Sequence, residues 1–329
     1  MKQTRKQFLK LSAGAATFAS FPILGTFAAS TATATSCAPV STQGKGPKRG
    51  VSLYSYKNEL YTSMTLEDCF ADMASMGAFG LEVLANGHIT NYPDPTEEWI
   101  QNWFALLNKY GIIPVEYGHW IDSRRHEGRE LTTQESYDSL VRDIRLANKL
   151  GFTVMRTKMG VIDETLNPVK NWKEFIEMAL PVAMEHNVVM CPEIHQPTSL
   201  KSKMVDNYVE FIEKTGTKNF GLNIDFGVFQ SKEKMMQIPG VTLEPSNPDD
   251  LIPLLPYIHA CHAKFANMTD DLIEDSHPYD KIIAVLVKHK YDGYMLSEYE
   301  GPDNDDIPGY VPDQLRRQHL MMKRYLGEV

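Results

Sequence analysis

Downstream of residue 50, a short apolar run, a loop and an amphipathic stretch follow one another eight times, and this repeat admits very few folds. Short β-type runs alternating with helical patterns require parallel strands joined by crossover helices. The runs fall at residues 50–56, 80–84, 113–117, 153–158, 188–195, 221–226, 259–264 and 294–299. Several intervening helices carry their end signals. Thr65 with Asp68 opens one and Gly77 closes it; Pro95-Thr96-Glu97 opens the next and Gly111 closes it. Thr132 with Glu135 is a capping-box pattern, and Gly151 ends that helix. Further helical stretches are expected at 172–186, 200–215, 249–256, 279–289 and 312–326. Eight runs, each with its own helix, predict a single (β/α)8 TIM barrel of the α/β class over residues 50–329. No Gly-x-Gly-x-x-Gly follows the first run, so a doubly wound dinucleotide fold has no fingerprint here.

The residues before the barrel read differently. Lys2, Arg5, Lys6 and Lys10 precede a mildly apolar run from Leu11 to Ala29, the layout of an export signal over residues 1–30. Residues 4–10 are similar to a twin-arginine signal, with Lys6 in place of the second arginine. Cys37, after Ala34-Thr35-Ser36, is a candidate lipid-anchor cysteine. Gly14, Thr17, Ser20, Pro22 and Gly25 interrupt the apolar run and argue against a membrane span. Residues 31–49, rich in Thr, Ser, Pro and Gly, read as a disordered tether. The protein is therefore expected to be exported, either periplasmic or membrane-anchored.

Composition sets two further limits. A formal charge of −9 disfavours the broad phosphate-binding footprint that a nucleic-acid partner needs. The four cysteines have no framework spacing, and Cys191 and Cys261 sit in apolar runs as expected for buried thiols. Two βα loops, 119–131 with Arg124, Arg125, His126, Glu127 and Arg129, and 229–248, are longer than the rest. Such loops lie at the face of a barrel that carries active sites, or are simply solvated charged loops.

Barrel chemistry sits at the C-terminal ends of strands. Those ends read Cys191-Pro192-Glu193-Ile194-His195, Asn223-Ile224-Asp225-Phe226, Ala260-Cys261-His262-Ala263-Lys264 and Leu296-Ser297-Glu298-Tyr299-Glu300. An inward carboxylate cannot remain ionised without a partner, and three converging carboxylates repel one another. One divalent metal ion held by Glu193, Asp225, His262 and Glu298 removes both difficulties. Three oxygens and an imidazole suit manganese, zinc, cobalt or magnesium. Taken singly, each residue could equally be a helix cap, an ion pair or a hydrogen-bonded structural group.

Four segments resemble the xylose isomerase-like barrels known as sugar phosphate isomerases/epimerases: Pro192-Glu193-Ile194-His195, Leu222-Asn223-Ile224-Asp225-Phe226-Gly227, residues 258–264, and residues 293–301. The resemblance implies one metal, manganese first, on the same four residues, with His262 rather than His259 because the His-Ala-Lys sequence aligns there. Gly50-Val51-Ser52-Leu53-Tyr54-Ser55-Tyr56 and Gly80-Leu81-Glu82-Val83 are similar to the barrel subunits of enzymes that cleave 3-oxo-glycosides, C-glycosides included. Val228 departs from a histidine found in many relatives, abasic-site nucleases among them, which weighs against a polymetal nuclease site. Relatives are often homodimers.

The expected activity is therefore metal-dependent isomerisation or epimerisation of a small carbohydrate, begun by removing a proton next to a carbonyl. A 3-oxo-glycoside lyase is the alternative, and a non-catalytic exported sugar-binding barrel is the reading of another class. The resemblance assigns proton transfer to Glu193 and Glu298, and metal holding mainly to Asp225 and His262. Because metal ligation weakens a carboxylate base, His195 is a further base candidate; otherwise it hydrogen-bonds Glu193. Expected substrate contacts are Glu82, His119, Arg156, Lys158, Lys264 and Tyr54. The alternative for Glu82 is pairing with Lys57, and for Lys264 pairing with Glu298 or Glu300. Tyr54, Tyr56, Trp120 and Phe226 are either apolar sugar walls or ordinary packing.

Overall fold

The computed structural model describes residues 46–57, 59–119, 129–159, 167–235, 244–302 and 307–328. The expected export signal, Cys37 and most of the tether lie outside these residues, as do Trp120, Arg124, Arg125, His126, Glu127 and residues 236–243 of the second long loop. Among the described residues no helix is long and apolar enough to cross a membrane.

Eight parallel strands close into a barrel in sequence order. They are β1 (Lys48–Ser52), β2 (Gly80–Leu84), β3 (Ile113–His119), β4 (Val154–Thr157), β5 (Val189–Ile194), β6 (Leu222–Asp225), β7 (Ile258–Phe265) and β8 (Tyr294–Tyr299). Pairing of Gly50 with Leu296 and of Lys48 with Tyr294 shuts the ring. Helices α1 (Leu66–Met76), α2 (Glu97–Tyr110), α3 (Thr133–Lys149), α4 (Trp172–Glu185), α5 (Lys203–Thr215), α6 (Tyr279–Lys288) and α7 (Tyr310–Leu326) return the chain between strands and after the last. The end signals act as expected. Thr65 and Thr132 form capping boxes with Asp68 and Glu135, and Thr96 caps α2 through the amide of Trp99. Gly77 and Gly111 take the left-handed conformation that closes α1 and α2.

Two elements differ from expectation for local reasons. The first strand stops at Ser52, whose hydroxyl accepts from the Tyr54 amide and turns Leu53–Tyr56 into a 3-10 helix. The crossover after β6, Pro248–Tyr257, is 3-10 rather than α-helical. Pro253 and Pro256 lie inside it; neither has an amide proton to donate, and their rings obstruct α-helical bonding.

The main core lies between sheet and helices, where Phe70, Ile144, Phe175 and Leu315 are fully buried. A smaller apolar plug of Val154, Cys191, Ala260 and Leu296, flanked by Ile113, Val189 and Tyr294, fills the barrel interior below the site. Cys69, Cys191 and Cys261 are buried free thiols. The lower barrel wall is tight at β1 and β2: a Cβ on Gly50 would lie 2.4 Å from the Gly80 carbonyl oxygen. Because that obstacle is backbone, it cannot rotate away. Gly50→Ala is therefore expected to cost about 1–3 kcal/mol by urea unfolding, and an unchanged midpoint would contradict this strand spacing.

A register slip shapes the upper barrel. Leu81 pairs with Pro114 but Glu82 pairs with Glu116, which leaves Val115 as the extra residue of a bulge. The bulge resets the alternation of β3. Ile113 and Val115 join the interior plug, yet Glu116 also reaches the interior. Tyr117 and His119 then contact Asp143 and Ser139 of α3 on the outer side.

Candidate metal centre and its surroundings

Strands β5 to β8 each carry, at or near the C-terminal end, a polar residue that joins one cluster. Asp225 pairs in register with His262, and Lys264 with Glu298, so these side chains stand side by side. Ligand atoms of Glu193, Asp225, His262 and Glu298 all lie within 4.8 Å of one another. His262 Nδ1 is 2.9 Å from Glu193 Oε1, 3.5 Å from Glu298 Oε2 and 4.0 Å from Asp225 Oδ2.

These residues fit a metal on two structural grounds. Asp225 Oδ2 and Glu298 Oε2 are buried and accept no hydrogen bond among the described residues. Lys264 Nζ is 2.9 Å from Asp225 Oδ2, but it is not oriented to donate to it. The second ground is charge. The interior holds the carboxylates of Glu82, Glu116, Glu193, Asp225 and Glu298, against the cations Arg156, Lys158 and Lys264. Fully ionised, the five carboxylates would exceed the three cations by two when His262 is neutral, as a ligand nitrogen must be. The acidic and histidine cluster could therefore bind a metal, and one divalent ion would balance its charge.

The surrounding cations are already engaged. Arg156 Nε donates to Glu82 Oε1 at 2.9 Å, and Nη1 donates to Glu193 Oε2 at 2.8 Å. Burial alone would raise the Glu193 pKa, but Arg156, His195 and His262 outweigh it and hold this carboxyl well below its ordinary value. Burial raises Asp225 well above the ordinary value, and Glu298 and Glu193 add to that, against Lys264. Lys264 lies 3.5 Å from Glu298 Oε2 and 3.2 Å from Glu300 Oε2.

Most of the expected site residues converge here. His195 Nε2 lies 3.8 Å from Glu193 Oε2, beyond hydrogen-bond reach. Burial, with Lys158 and Lys264 adding to it against Glu193, lowers its pKa to about 3, so this imidazole is neutral at neutral pH. Lys158 Nζ stands 3.5 Å from the same ring nitrogen. Glu82 is paired with Arg156 rather than Lys57, whose ammonium donates to the Gly301 carbonyl. Tyr54 is half-buried in the 3-10 helix that follows β1. Tyr56 and Phe226 are fully buried packing residues, not walls of an open cleft.

His119 is not brought to the cluster. Its Nδ1 is 3.1 Å from Thr157 Oγ1, and its Nε2 is 3.0 Å from Ser139 Oγ and 3.1 Å from Asp143 Oδ2. Asp143 also accepts from the hydroxyls of Tyr117 and Tyr92. Burial lowers the His119 pKa to about 4 against the pull of Asp143, and burial does the same to His88. Both folded values lie below the unfolded one, so the unfolded chain binds protons first as pH falls. Stability from these rings is complete above about pH 6.5 and is lost towards pH 4. By pH 5 the loss is expected to be on the order of 2 kcal/mol per imidazole. Urea midpoints at pH 7 and pH 5 measure it, and His119→Gln should lose less than wild type over that interval.

Two residues entered the site unannounced. Glu116 Oε2 lies 3.1 Å from His262 Nε2, and Asn223 Nδ2 lies 3.0 Å from the same nitrogen. Asn223 was legible, since it precedes Asp225 by two on one strand face. Glu116 was hidden by the bulge.

The sequence profile of the xylose isomerase-like TIM barrels matches residues 70–324. The C-glycoside deglycosidase alpha subunit of Arthrobacter globiformis is 25% identical over 344 aligned residues, covering 87% of this chain and 94% of that protein. Among solved structures, a sugar phosphate isomerase/epimerase from Parabacteroides distasonis superposes with a TM-score of 0.59 at 13% identity, covering 88% of this chain and 98% of the other. The 3-keto-D-glucoside 4-epimerase of E. coli gives a TM-score of 0.55 at 14% identity, over 84% of this chain and 99% of that one. With the profile spanning most of the barrel, the chain belongs to the xylose isomerase-like TIM barrel family.

Proposed function

We propose that this protein is a metal-dependent sugar isomerase or epimerase that removes the proton beside the carbonyl of a 3-oxo sugar, free or glycosidically linked. The observation that carries the reading is the convergence of Glu193, Asp225, His262 and Glu298, with one oxygen each of Asp225 and Glu298 accepting no hydrogen bond among the described residues. These four residues would hold one divalent ion, manganese by preference and zinc, cobalt or magnesium otherwise. When bound, the ion supplies positive charge where the oxyanion of an enolate develops. Glu193 or Glu298 takes the proton from the carbon next to the carbonyl, and the electron pair moves onto the carbonyl oxygen. Return of a proton to the opposite face of that carbon, relayed from solvent through the other carboxylate, gives the epimer. His195, neutral and 3.8 Å from Glu193, is the further base available at the site.

A second reading is favoured by the curated relatives, whose names describe deglycosidases. Once the proton beside the 3-oxo group is gone, the same electron pair can expel the group on the next carbon, which is β-elimination. An unphosphorylated substrate suits the site, because the Arg156 guanidinium is already shared between Glu82 and Glu193. It also suits export, which we propose from the basic start and apolar run of residues 1–30.

The test is incubation of the manganese-loaded protein with a 3-oxo-glucoside in deuterium oxide. Epimerisation would place deuterium at the epimerised carbon and leave the glycosidic bond intact. Release of aglycone would assign the lyase instead. Neither exchange nor release across keto-sugars and 3-oxo-glycosides would leave a non-catalytic sugar-binding barrel.

A further inference from the structure

We infer that Glu116 is a positioning residue that keeps the His262 proton on Nε2 and so turns the Nδ1 lone pair toward Glu193, Asp225 and Glu298. The inference rests on the proposed metal site and extends it below the ligand shell. His262 is fully buried and its two ring nitrogens face different neighbours. Nδ1 looks up into the three ligand carboxylates, 2.9 Å from the nearest. Nε2 looks down toward Glu116 Oε2 at 3.1 Å and Glu82 Oε1 at 3.4 Å.

The ring has two tautomers, and the lower neighbours discriminate between them. Glu116 Oε2 accepts from the Asn223 amide and Glu82 Oε1 from Arg156 Nε, so both oxygens act as acceptors and together call for a proton on Nε2. The Asn223 amide nitrogen, 3.0 Å from Nε2, would favour the other tautomer, but it has a second acceptor in Glu116 Oε2 at 3.3 Å. Asn223 Oδ1 accepts no hydrogen bond among the described residues, so a turned amide would also offer Nε2 an acceptor. With the three upper carboxylates committed to a metal, the two lower ones against one divertible amide would decide for Nε2–H. A neutral imidazole protonated at Nε2 can ligate only through Nδ1, the nitrogen that faces the other ligands.

Glu116 has no comparable alternative use. It is fully buried, it does not pair with Arg156, and its other oxygen accepts no hydrogen bond among the described residues. The β3 bulge that brings it inward is the backbone feature that makes the contact possible.

The experiment combines metal affinity with histidine nitrogen spectra on the full-length protein. With Zn²⁺ as the diamagnetic probe, wild-type His262 should show a protonated Nε2 and a metal-shifted Nδ1. Glu116→Gln should weaken Zn²⁺ and Mn²⁺ binding about 10- to 100-fold by chelator competition, and Glu116→Asp should recover part of it. A wild-type spectrum with the proton on Nδ1 would overturn the inference without reference to any variant. So would a folded Glu116→Gln protein, judged by circular dichroism, that binds both ions as wild type does. Wild-type protein that binds neither ion would overturn the metal reading as well as this inference, which keeps the two failures distinct.

Discussion

Glu298→Gln is expected to lower turnover of a 3-oxo-glycoside by about 100- to 10,000-fold, the range for loss of a positioned acid or base. Glutamine keeps the shape of the side chain and loses the capacity to take or return a proton. The substitution should be mild for the fold, because Glu298 Oε2 accepts no hydrogen bond among the described residues and the Lys264 ammonium stands 3.5 Å away. Thermal unfolding should therefore shift by only a few degrees. A neutral ligand also weakens metal binding, so the assay is run across a manganese titration. If saturating metal restores kcat, Glu298 serves only to hold the ion. If kcat stays low at full occupancy, Glu298 moves the proton. A wild-type kcat at ordinary metal concentration would remove Glu298 from both roles.

Much of this arrangement could be read without coordinates, and the failures have physical causes. Periodicity located all eight strands because each is a short apolar run set off from the amphipathic stretches around it. The last four strand ends revealed the cluster of Glu193, Asp225, His262 and Glu298 because pairing beyond the Leu222/Asn223 slip preserves the alternation of side chains there. Strand β3 broke the same rule. One unpaired residue, Val115, reversed the expected facing, which sent His119 outward to Asp143 and brought Glu116 inward to His262. Nothing in the apolar pattern of Ile113-Pro114-Val115 announces such a slip. Arg156 escaped full reading for another reason. Its position on β4 was correct, but the partners that occupy it come from β2 and β5, and pairings across a barrel are invisible to local sequence.

Those partners make Arg156→Met the most damaging substitution for stability, expected to cost about 3–5 kcal/mol by urea unfolding. Arg156 is buried and, among the described residues, is the only arginine or lysine that bridges Glu82 to Glu193. Methionine fills much of its volume but leaves two carboxylates facing each other across a site already in negative excess. The cost thus arises from stranded charge rather than from an empty space. Two further measurements separate these causes. Glu82→Gln in the Arg156→Met background removes one stranded charge and should return about 1–3 kcal/mol. A divalent ion that binds only the folded chain should raise the variant's unfolding midpoint in proportion to the logarithm of its concentration. An Arg156→Met protein as stable as wild type would mean that Glu82 and Glu193 are neutral in the folded chain. The charge excess that argues for a metal would then not exist.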